Sequence, residues 1–179
     1  MGFCKSMLKL FGWQVRCTVP DYPKCIICVA PHTSNWDFVL GEFAWWSLGR
    51  KAGFLMKEAW FFFPMKYLFK ALGGIPVSRR RGSSLSDAII HKFETSESMN
   101  LAITPEGTRA KVTEWRTGFL HIAYEAHIPV VLGAIDAANK LVHLEQTFIP
   151  TGNIDADMRA IKNYYRQFEG IKPDRFSAE

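Results

Sequence analysis

The sequence predicts an α/β fold in which a mixed, mostly parallel sheet is flanked by helices. Short apolar runs alternate along the chain with amphipathic helical patterns, which is the order expected of a sheet covered by helices on both faces. Two apolar runs in the last third of the chain are separated by a short turn, so we expect them to pair as an antiparallel hairpin. The 179 residues contain no evident linker or repeat, which suits a single domain over residues 1–179.

Strands are predicted where short apolar runs are bounded by turn residues. These runs are residues 24–30, 53–56, 75–78, 101–104, 128–135 and 140–148. Helices are predicted where apolar residues recur every three to four positions, as Leu85, Ile89 and Phe93 do. These stretches are residues 36–48, 84–95, 115–126 and 155–168, together with residues 59–72, which Pro64 divides into shorter helical pieces.

The composition narrows the possible functions. With 48% hydrophobic and 22% charged residues the chain can build a packed core, which excludes a mainly disordered protein. A formal net charge of +5 indicates an anionic partner, which could be nucleic acid, anionic lipid or an acidic substrate. No stretch of about 18 apolar residues lacks a charge and the N-terminus has no secretory signal, so we expect a cytoplasmic protein without a transmembrane helix.

The four cysteines are too few for a disulfide-stabilised scaffold. Cys25 and Cys28 form a C-x-x-C pair inside an apolar run, and no second pair follows that could complete a zinc site. We therefore interpret both as buried strand cysteines and predict no metal site.

The segment after the first predicted strand carries a possible general base. His32 follows the strand, and Asp37 comes after four intervening residues, in the first turn of the predicted helix. The turn can fold back so that the Asp37 carboxylate reaches the imidazole and stabilises the imidazolium formed when His32 accepts a proton. The same residues also fit a structural arrangement, in which His32 caps the turn and Asp37 favours the helix N-terminus.

Two later strand ends carry basic residues. Three arginines at residues 79–81 close the third predicted strand, and the fourth runs into Thr-Pro-Glu-Gly-Thr-Arg at residues 104–109. A guanidinium binds phosphate through two parallel hydrogen bonds, and Gly107 permits a tight turn with a close backbone approach. These arginines could equally form a solvated basic rim, and Glu106 could be an ion-pair partner of Arg109.

Four short motifs follow one another along the chain. They are H-x-x-x-x-D at His32 and Asp37, G-G-I-P-V-x-R over residues 73–79, P-E-G-T-R over residues 105–109 and I-P-V over residues 128–130. Together they resemble the glycerolipid acyltransferases, of which lysophosphatidate acyltransferase is the central member. Each motif alone is weak, but four in this order and spacing are specific, and the motif-bearing part spans residues 25–135.

The resemblance implies a glycerol-3-phosphate acyltransferase-like fold and an enzyme that moves a fatty acyl group from acyl-CoA or acyl-carrier protein to the hydroxyl of a lyso-lipid. It implies that His32 is the general base and Asp37 its orienting partner, with no covalent acyl-enzyme and no cofactor besides the acyl donor. The substrate-binding residues it implies are Arg79, Glu106, Gly107, Thr108 and Arg109, with the two arginines holding the acceptor phosphate.

Three positions depart from the family pattern. Pro31 stands where the family usually has Asn, Ser78 where it often has Asp, and Thr104 where an aromatic residue is common. These departures affect which acceptor we expect, and they leave the expected acyl-transfer chemistry unchanged. We expect 1-acylglycerol-3-phosphate as the acceptor, which would give phosphatidic acid, with a lyso-aminolipid or another monoacyl lipid as the alternative.

Lipid substrates imply docking to a membrane. Aromatic residues interleaved with lysines are typical of a surface that binds an anionic membrane interface, and Lys57, Lys66 and Lys70 lie within an aromatic stretch. We also interpret residues 1–23 as an amphipathic N-terminal segment and expect peripheral binding to the cytoplasmic face of the membrane. The side chains of the predicted aromatic surface are Phe43, Trp45, Trp46, Trp60, Phe61, Phe62, Phe63, Met65, Tyr67 and Phe69.

Other function classes fit the sequence less well. A hydrolase that activates water with His32 and Asp37 would need a metal cluster or a nucleophile, and neither is evident. A nucleic-acid-binding domain would need a basic stripe with exposed stacking residues, whereas the arginines here lie beside acids and the aromatic residues lie in apolar runs. We expect no nucleic-acid partner. A catalytically inactive lipid-binding relative would not be expected to retain both His32 and Asp37.

Overall fold

The computed structural model describes residues 2–77 and 85–178, which form a seven-stranded sheet with helices on both faces. Its strands are β1 Gln14–Cys17, β2 Lys24–Ala30, β3 Gly53–Lys57, β4 Gly74–Val77, β5 Met99–Ile103, β6 Val130–Asp136 and β7 Leu141–Phe148. Its helices are α1 Gly2–Leu10, α2 Asn35–Ser47, α3 Met65–Ala71, α4 Leu85–Thr95, α5 Gly118–Glu125 and α6 Ile154–Tyr165, with short 3₁₀ helices at Glu58–Trp60 and Pro173–Arg175.

The sheet order is β1-β7-β6-β2-β5-β3-β4, and every neighbouring pair is parallel except β6 and β7. The antiparallel pair is the expected hairpin, so the prediction of a mixed, mostly parallel sheet is confirmed. β2 is central, which explains its continuous apolar sequence, because a central parallel strand is buried on both faces. The carboxyl ends of the neighbouring strands β2, β5 and β3 meet at one edge of the sheet, where ligands bind in folds of this kind.

Successive residues of β2 contribute to two separate cores, because strand side chains alternate between faces. Ile26 and Cys28 pack with the buried sides of α4, α5 and α6, whereas Cys25 and Ile27 pack with Trp45 of α2. Both cysteines are buried and free, which confirms their interpretation as strand cysteines. Their side chains point to opposite faces of the sheet and do not converge on one ion.

Tyr165 ties α6 to the centre of the sheet. Its hydroxyl donates a hydrogen bond of 2.5 Å to the carbonyl oxygen of Cys28 and also reaches the carbonyl oxygen of Gly133, at 3.4 Å. Burial raises the pKa of Tyr165 well above its ordinary value, so the hydroxyl keeps the proton that it donates. The contact to Cys28 lies two residues before the end of β2 and therefore supports the strand close to the loop that follows it.

The short edge strand β1 was not expected from the sequence. It has four residues in an alternating exposed and half-buried pattern, so it lacks the apolar run by which the other strands were predicted. It pairs in parallel with β7. The other predicted strands and helices are present within a few residues of their expected bounds, while residues 78 and 84, at the ends of two predicted elements, lie outside the described residues.

The N-terminal segment folds in part as the helix α1. Cys4 and Leu8 are buried on one side of this helix, whereas Phe3, Leu10 and the following Phe11 are exposed. None of the described helices is long and apolar enough to cross a bilayer.

Candidate active site

The loop between β2 and α2 holds the predicted base. β2 ends two residues before His32, and α2 begins directly after Ser34, whose hydroxyl accepts a hydrogen bond of 3.3 Å from the N–H of Trp36. Asp37 completes a capping box, in which its carboxylate accepts a hydrogen bond of 2.6 Å from the N–H of Ser34. The cap ends the loop sharply and keeps His32 at the carboxyl edge of the sheet.

The Asp37 carboxylate lies beside the His32 imidazole. Asp37 Oδ2 is 3.7 Å from His32 Nδ1, and it accepts hydrogen bonds of 2.6 Å each from the N–H groups of Thr33 and Ser34. A separation of 3.7 Å is longer than a hydrogen bond, and such distances commonly shorten when substrate binds. Burial raises the pKa of Asp37, while the two N–H donors oppose that rise. Asp37 thus supports the helix N-terminus and faces the imidazole at once.

The surroundings of His32 favour its neutral form. Only 18% of its side chain is exposed, and desolvation by burial lowers its pKa below the ordinary imidazole value. The positive charge of Arg109 lowers it further. A neutral imidazole is the form that can accept a proton, so the surroundings favour the general-base form of His32.

Glu106 supports the backbone of the same loop. Its Oε2 accepts a hydrogen bond of 2.8 Å from the N–H of His32, and the residue is buried. Burial raises the pKa of Glu106 to about 8, so the carboxyl is largely protonated at neutral pH. Arg109 forms no ion pair with Glu106 within the described part of the chain. The ion pair between Glu106 and Arg109, which the sequence left open as an alternative, is therefore not formed among the described residues.

The loop after β5 presents Arg109 at the rim of the site. Arg109 is exposed and donates a hydrogen bond from Nη1 to the side-chain oxygen of Asn35, the first residue of α2. Gly107 has a φ of +64°, a backbone conformation that favours glycine, and a Cβ atom there would displace the end of the Arg116 side chain. Thr108 is exposed, and its hydroxyl accepts a hydrogen bond within the same loop.

The sequence-predicted site residues thus come from two loops at one edge of the sheet. The loop after β2 carries His32 and leads to Asp37, and the loop after β5 carries residues 106–109. Arg79, the other arginine expected to hold the acceptor phosphate, lies outside the described residues.

A cavity of about 870 Å³ opens beside these loops and lies between α2 and the sheet. Polar side chains from the two loops line its rim, and its inner wall is mostly apolar, with one buried carboxyl group, that of Glu42. The lining side chains on the two loops and the first turn of α2 are His32, Asn35, Asp37, Arg109 and Arg116, and the apolar lining side chains include Ile27, Val29, Phe38, Trp45, Phe54 and Leu144. An apolar cavity with polar groups at its opening suits a ligand that has an apolar chain and a polar reacting end.

A contact that is distant in sequence supports the His32 loop from behind. The buried Thr33 hydroxyl accepts a hydrogen bond of 3.1 Å from the N–H of Lys172. A Cβ atom on Gly170 would lie 2.9 Å from Pro31 and from Thr33, so residues 170–172 pack tightly on the loop. Sequence reasoning missed this support because a separation of 139 residues leaves no local pattern.

Comparison with known protein families identifies the family of this chain. The family described as Acyltransferase matches residues 15–135, more than half of the chain. The chain belongs to the acyltransferase family. This match confirms the acyltransferase family that the motifs indicated, and it covers all but the first residue of the edge strand β1.

The acyltransferase also shares its fold with a solved structure, the 1-acyl-sn-glycerophosphate (LPA) acyltransferase PlsC from Thermotoga maritima. The two have a TM-score of 0.59 and 17% sequence identity, over 94% of this chain and 79% of that chain. At this identity the likeness shows a common fold, which confirms the predicted fold class. A comparison with curated proteins finds no match to the sequence.

We expect Gly107→Ala to distort the loop that carries Arg109. The new Cβ would meet the Arg116 side chain at a backbone angle that alanine adopts only with strain, so the free energy of unfolding should fall by about 1–3 kcal/mol. Urea unfolding measures this change. Gly118→Ala is the matched control, because nothing lies within 4 Å of its added Cβ. Equal stability of the two variants would contradict the tight packing at Gly107.

Proposed function

We propose that this acyltransferase moves a fatty acyl group from acyl-CoA or acyl-carrier protein to the hydroxyl of a lyso-lipid, with 1-acylglycerol-3-phosphate as the favoured acceptor. One observation carries the proposal: the His32–Asp37 pair and Arg109 lie together at the opening of an apolar cavity. A base, an anion-binding group and a chain-sized apolar space are the three elements that such a transfer requires. The acceptor named by the solved relative, LPA, agrees with this choice.

The proposed reaction is a direct transfer. The His32 imidazole accepts the proton of the acceptor hydroxyl as its oxygen attacks the thioester carbonyl carbon of the donor. Asp37 stabilises the imidazolium formed in this step. The carbon–sulfur bond then breaks, the imidazolium returns the proton to the departing thiolate, and an ester and a free thiol are released.

Arg109 is proposed to bind the acceptor headgroup. Its guanidinium is exposed at the cavity rim and lies close enough to His32 to lower the imidazole pKa. A phosphate group suits a planar guanidinium, since it accepts two parallel hydrogen bonds from it. A lyso-aminolipid or another monoacyl lipid remains the alternative acceptor, and turnover of a lyso-lipid panel with mass-spectrometric product identification separates the candidates.

We further infer that the acyltransferase docks peripherally on an anionic membrane, on the cytoplasmic face. The segment that follows β3 presents an aromatic surface, defined here by Trp60, Phe62, Phe63, Tyr67 and Leu68, each at least half exposed. Because β3 neighbours β5 in the same parallel orientation, this segment leaves the sheet at the edge that carries the active site. Lys66 and Lys70 alternate with the aromatic residues, as expected of a surface that meets anionic lipid.

Only some side chains of the predicted aromatic surface are exposed in the structure. Trp45 is buried in the core beneath α2, and Phe43, Trp46, Phe61, Met65 and Phe69 are half-buried. The docking proposal therefore rests on the exposed members alone.

Replacing the base is the first test of the proposed function. We expect His32→Ala to lower kcat by roughly 10²–10⁴-fold, because a positioned general base contributes about that much to a proton-transfer step. The measurement is release of free thiol from acyl-CoA in the presence of the lyso-lipid. His121→Ala, at an exposed histidine of α5, should keep full activity. Undiminished turnover in His32→Ala would exclude the proposed mechanism.

The pH profile tests the influence of Arg109 on the base. Protonated His32 is inactive, so kcat/KM should fall on the acid side with an apparent pKa below the ordinary imidazole value. Arg109→Gln removes one of the two causes of that lowering, so the acid limb should move to higher pH, while burial still holds it down. Glu106, with its pKa at about 8, loses its proton at higher pH and does not produce this limb.

Arg16→Gln, which removes an equal charge from the exposed edge strand, is the control and should leave the acid limb in place. An acid limb that does not move in Arg109→Gln would contradict an effect of the Arg109 guanidinium on the pKa of His32.

Vesicle flotation tests the docking surface. We expect the double variant Trp60→Ser/Phe63→Ser to bind anionic vesicles about tenfold more weakly, because two large exposed apolar side chains no longer leave water on docking. Ile149→Ser is the matched control: this residue is 65% exposed but follows β7, which runs antiparallel and ends at the opposite edge of the sheet. Equal loss in both variants would contradict docking through the active-site edge.

A further inference from the structure

Two buried polar side chains lie on the otherwise apolar inner wall of the cavity. Glu42 is 8% exposed and Trp45 is 4% exposed, and both line the cavity from α2. Within the described part of the chain, Glu42 Oε2 and Trp45 Nε1 have no hydrogen-bond partner. Buried polar groups are normally paired, because an unpaired one has lost its hydrogen bonds to water without replacing them. Two such groups on one cavity wall therefore point to a ligand group that pairs with them.

The two side chains offer complementary hydrogen-bonding capacity. The indole N–H of Trp45 can only donate. Burial raises the pKa of Glu42 to about 7, so its carboxyl is protonated in a large share of molecules at neutral pH and can both donate and accept. A hydroxyl group matches this pair, since its oxygen can accept from Trp45 while its proton is donated to Glu42. A methylene group matches neither.

The helix places this pair deeper in the cavity than the catalytic loop. Glu42 and Trp45 are three residues apart, which brings them to the same side of α2. Glu42 is five residues beyond Asp37, roughly 7.5 Å along the helix axis. A donor whose thioester lies at His32 and whose chain enters the cavity would therefore carry its methylene groups past the pair.

We propose that Glu42 and Trp45 form a specificity site that selects acyl donors bearing a hydroxyl group on the fatty chain. The inference rests on the proposed acyl transfer and adds the chemical class of the chain that is transferred. An unsubstituted chain would leave both polar groups buried and unpaired, whereas a hydroxylated chain of equal length satisfies them.

The test compares palmitoyl-CoA with analogues that carry a hydroxyl on the second, the third or a mid-chain carbon. We expect one hydroxylated donor to have a kcat/KM about tenfold above that of the unsubstituted donor, with whichever lyso-lipid gives the highest turnover. Glu42→Leu and Trp45→Phe should each lower this ratio about tenfold. Glu42→Gln, which retains hydrogen-bonding capacity, should keep most of it. Glu125→Leu, at an exposed carboxylate of α5, is the matched control and should leave the ratio unchanged.

A binding measurement keeps this proposal separate from the proposed function. Calorimetric titration with the free hydroxylated and unsubstituted fatty acids needs no turnover. The hydroxylated acid should bind the unsubstituted protein about tenfold more tightly, and this preference should be lost in Glu42→Leu. Preferential binding without acyl transfer would support the polar site and exclude the proposed reaction. Transfer of acyl groups with no preference at any hydroxyl position, or a preference that survives Glu42→Leu, would overturn the specificity site alone.

Discussion

In the turn between β2 and α2, one oxygen of the Asp37 carboxylate receives the N–H groups of both Thr33 and Ser34. A carboxylate with no exposed surface requires such donors, because an uncompensated charge is strongly unfavourable away from water. The turn must therefore keep the one conformation that presents both N–H groups. That conformation also places His32 beside the same oxygen, so the carboxylate that accepts hydrogen bonds from the turn also faces the imidazole.

Burial gives this small region a consistent set of protonation states. It raises the pKa of Glu106 and lowers that of His32, so both changes favour an uncharged form. Burial also raises the pKa of Asp37, but the N–H groups of Ser34 and Thr33 oppose that rise and favour its carboxylate form. Arg109, which is exposed, keeps its charge in water at the rim. The guanidinium of Arg109 thus differs from the imidazole of His32 in solvent exposure as well as in charge.

The sequence predicts those parts of the molecule that depend on local pattern. β2 has the predicted bounds because six apolar residues, 25–30, follow Lys24 without a break. The His32–Asp37 spacing sets a turn that is closed by its own side chains. It does not predict features that depend on tertiary contacts. β1 is a strand because β7 pairs with it. Glu42 gives no sequence signal, since a glutamate in a helix is ordinarily exposed and only the fold encloses this one.

The packing of residues 170–172 on the His32 turn links distant parts of the chain. During synthesis the His32 loop emerges early, and its Thr33 hydroxyl has no partner until Lys172 has left the ribosome. Contacts of such long range form late in folding, because the intervening chain must first be ordered. A nascent chain therefore carries the His32 and Asp37 side chains long before it can hold them in place, and completion of this turn coincides with closure of the fold.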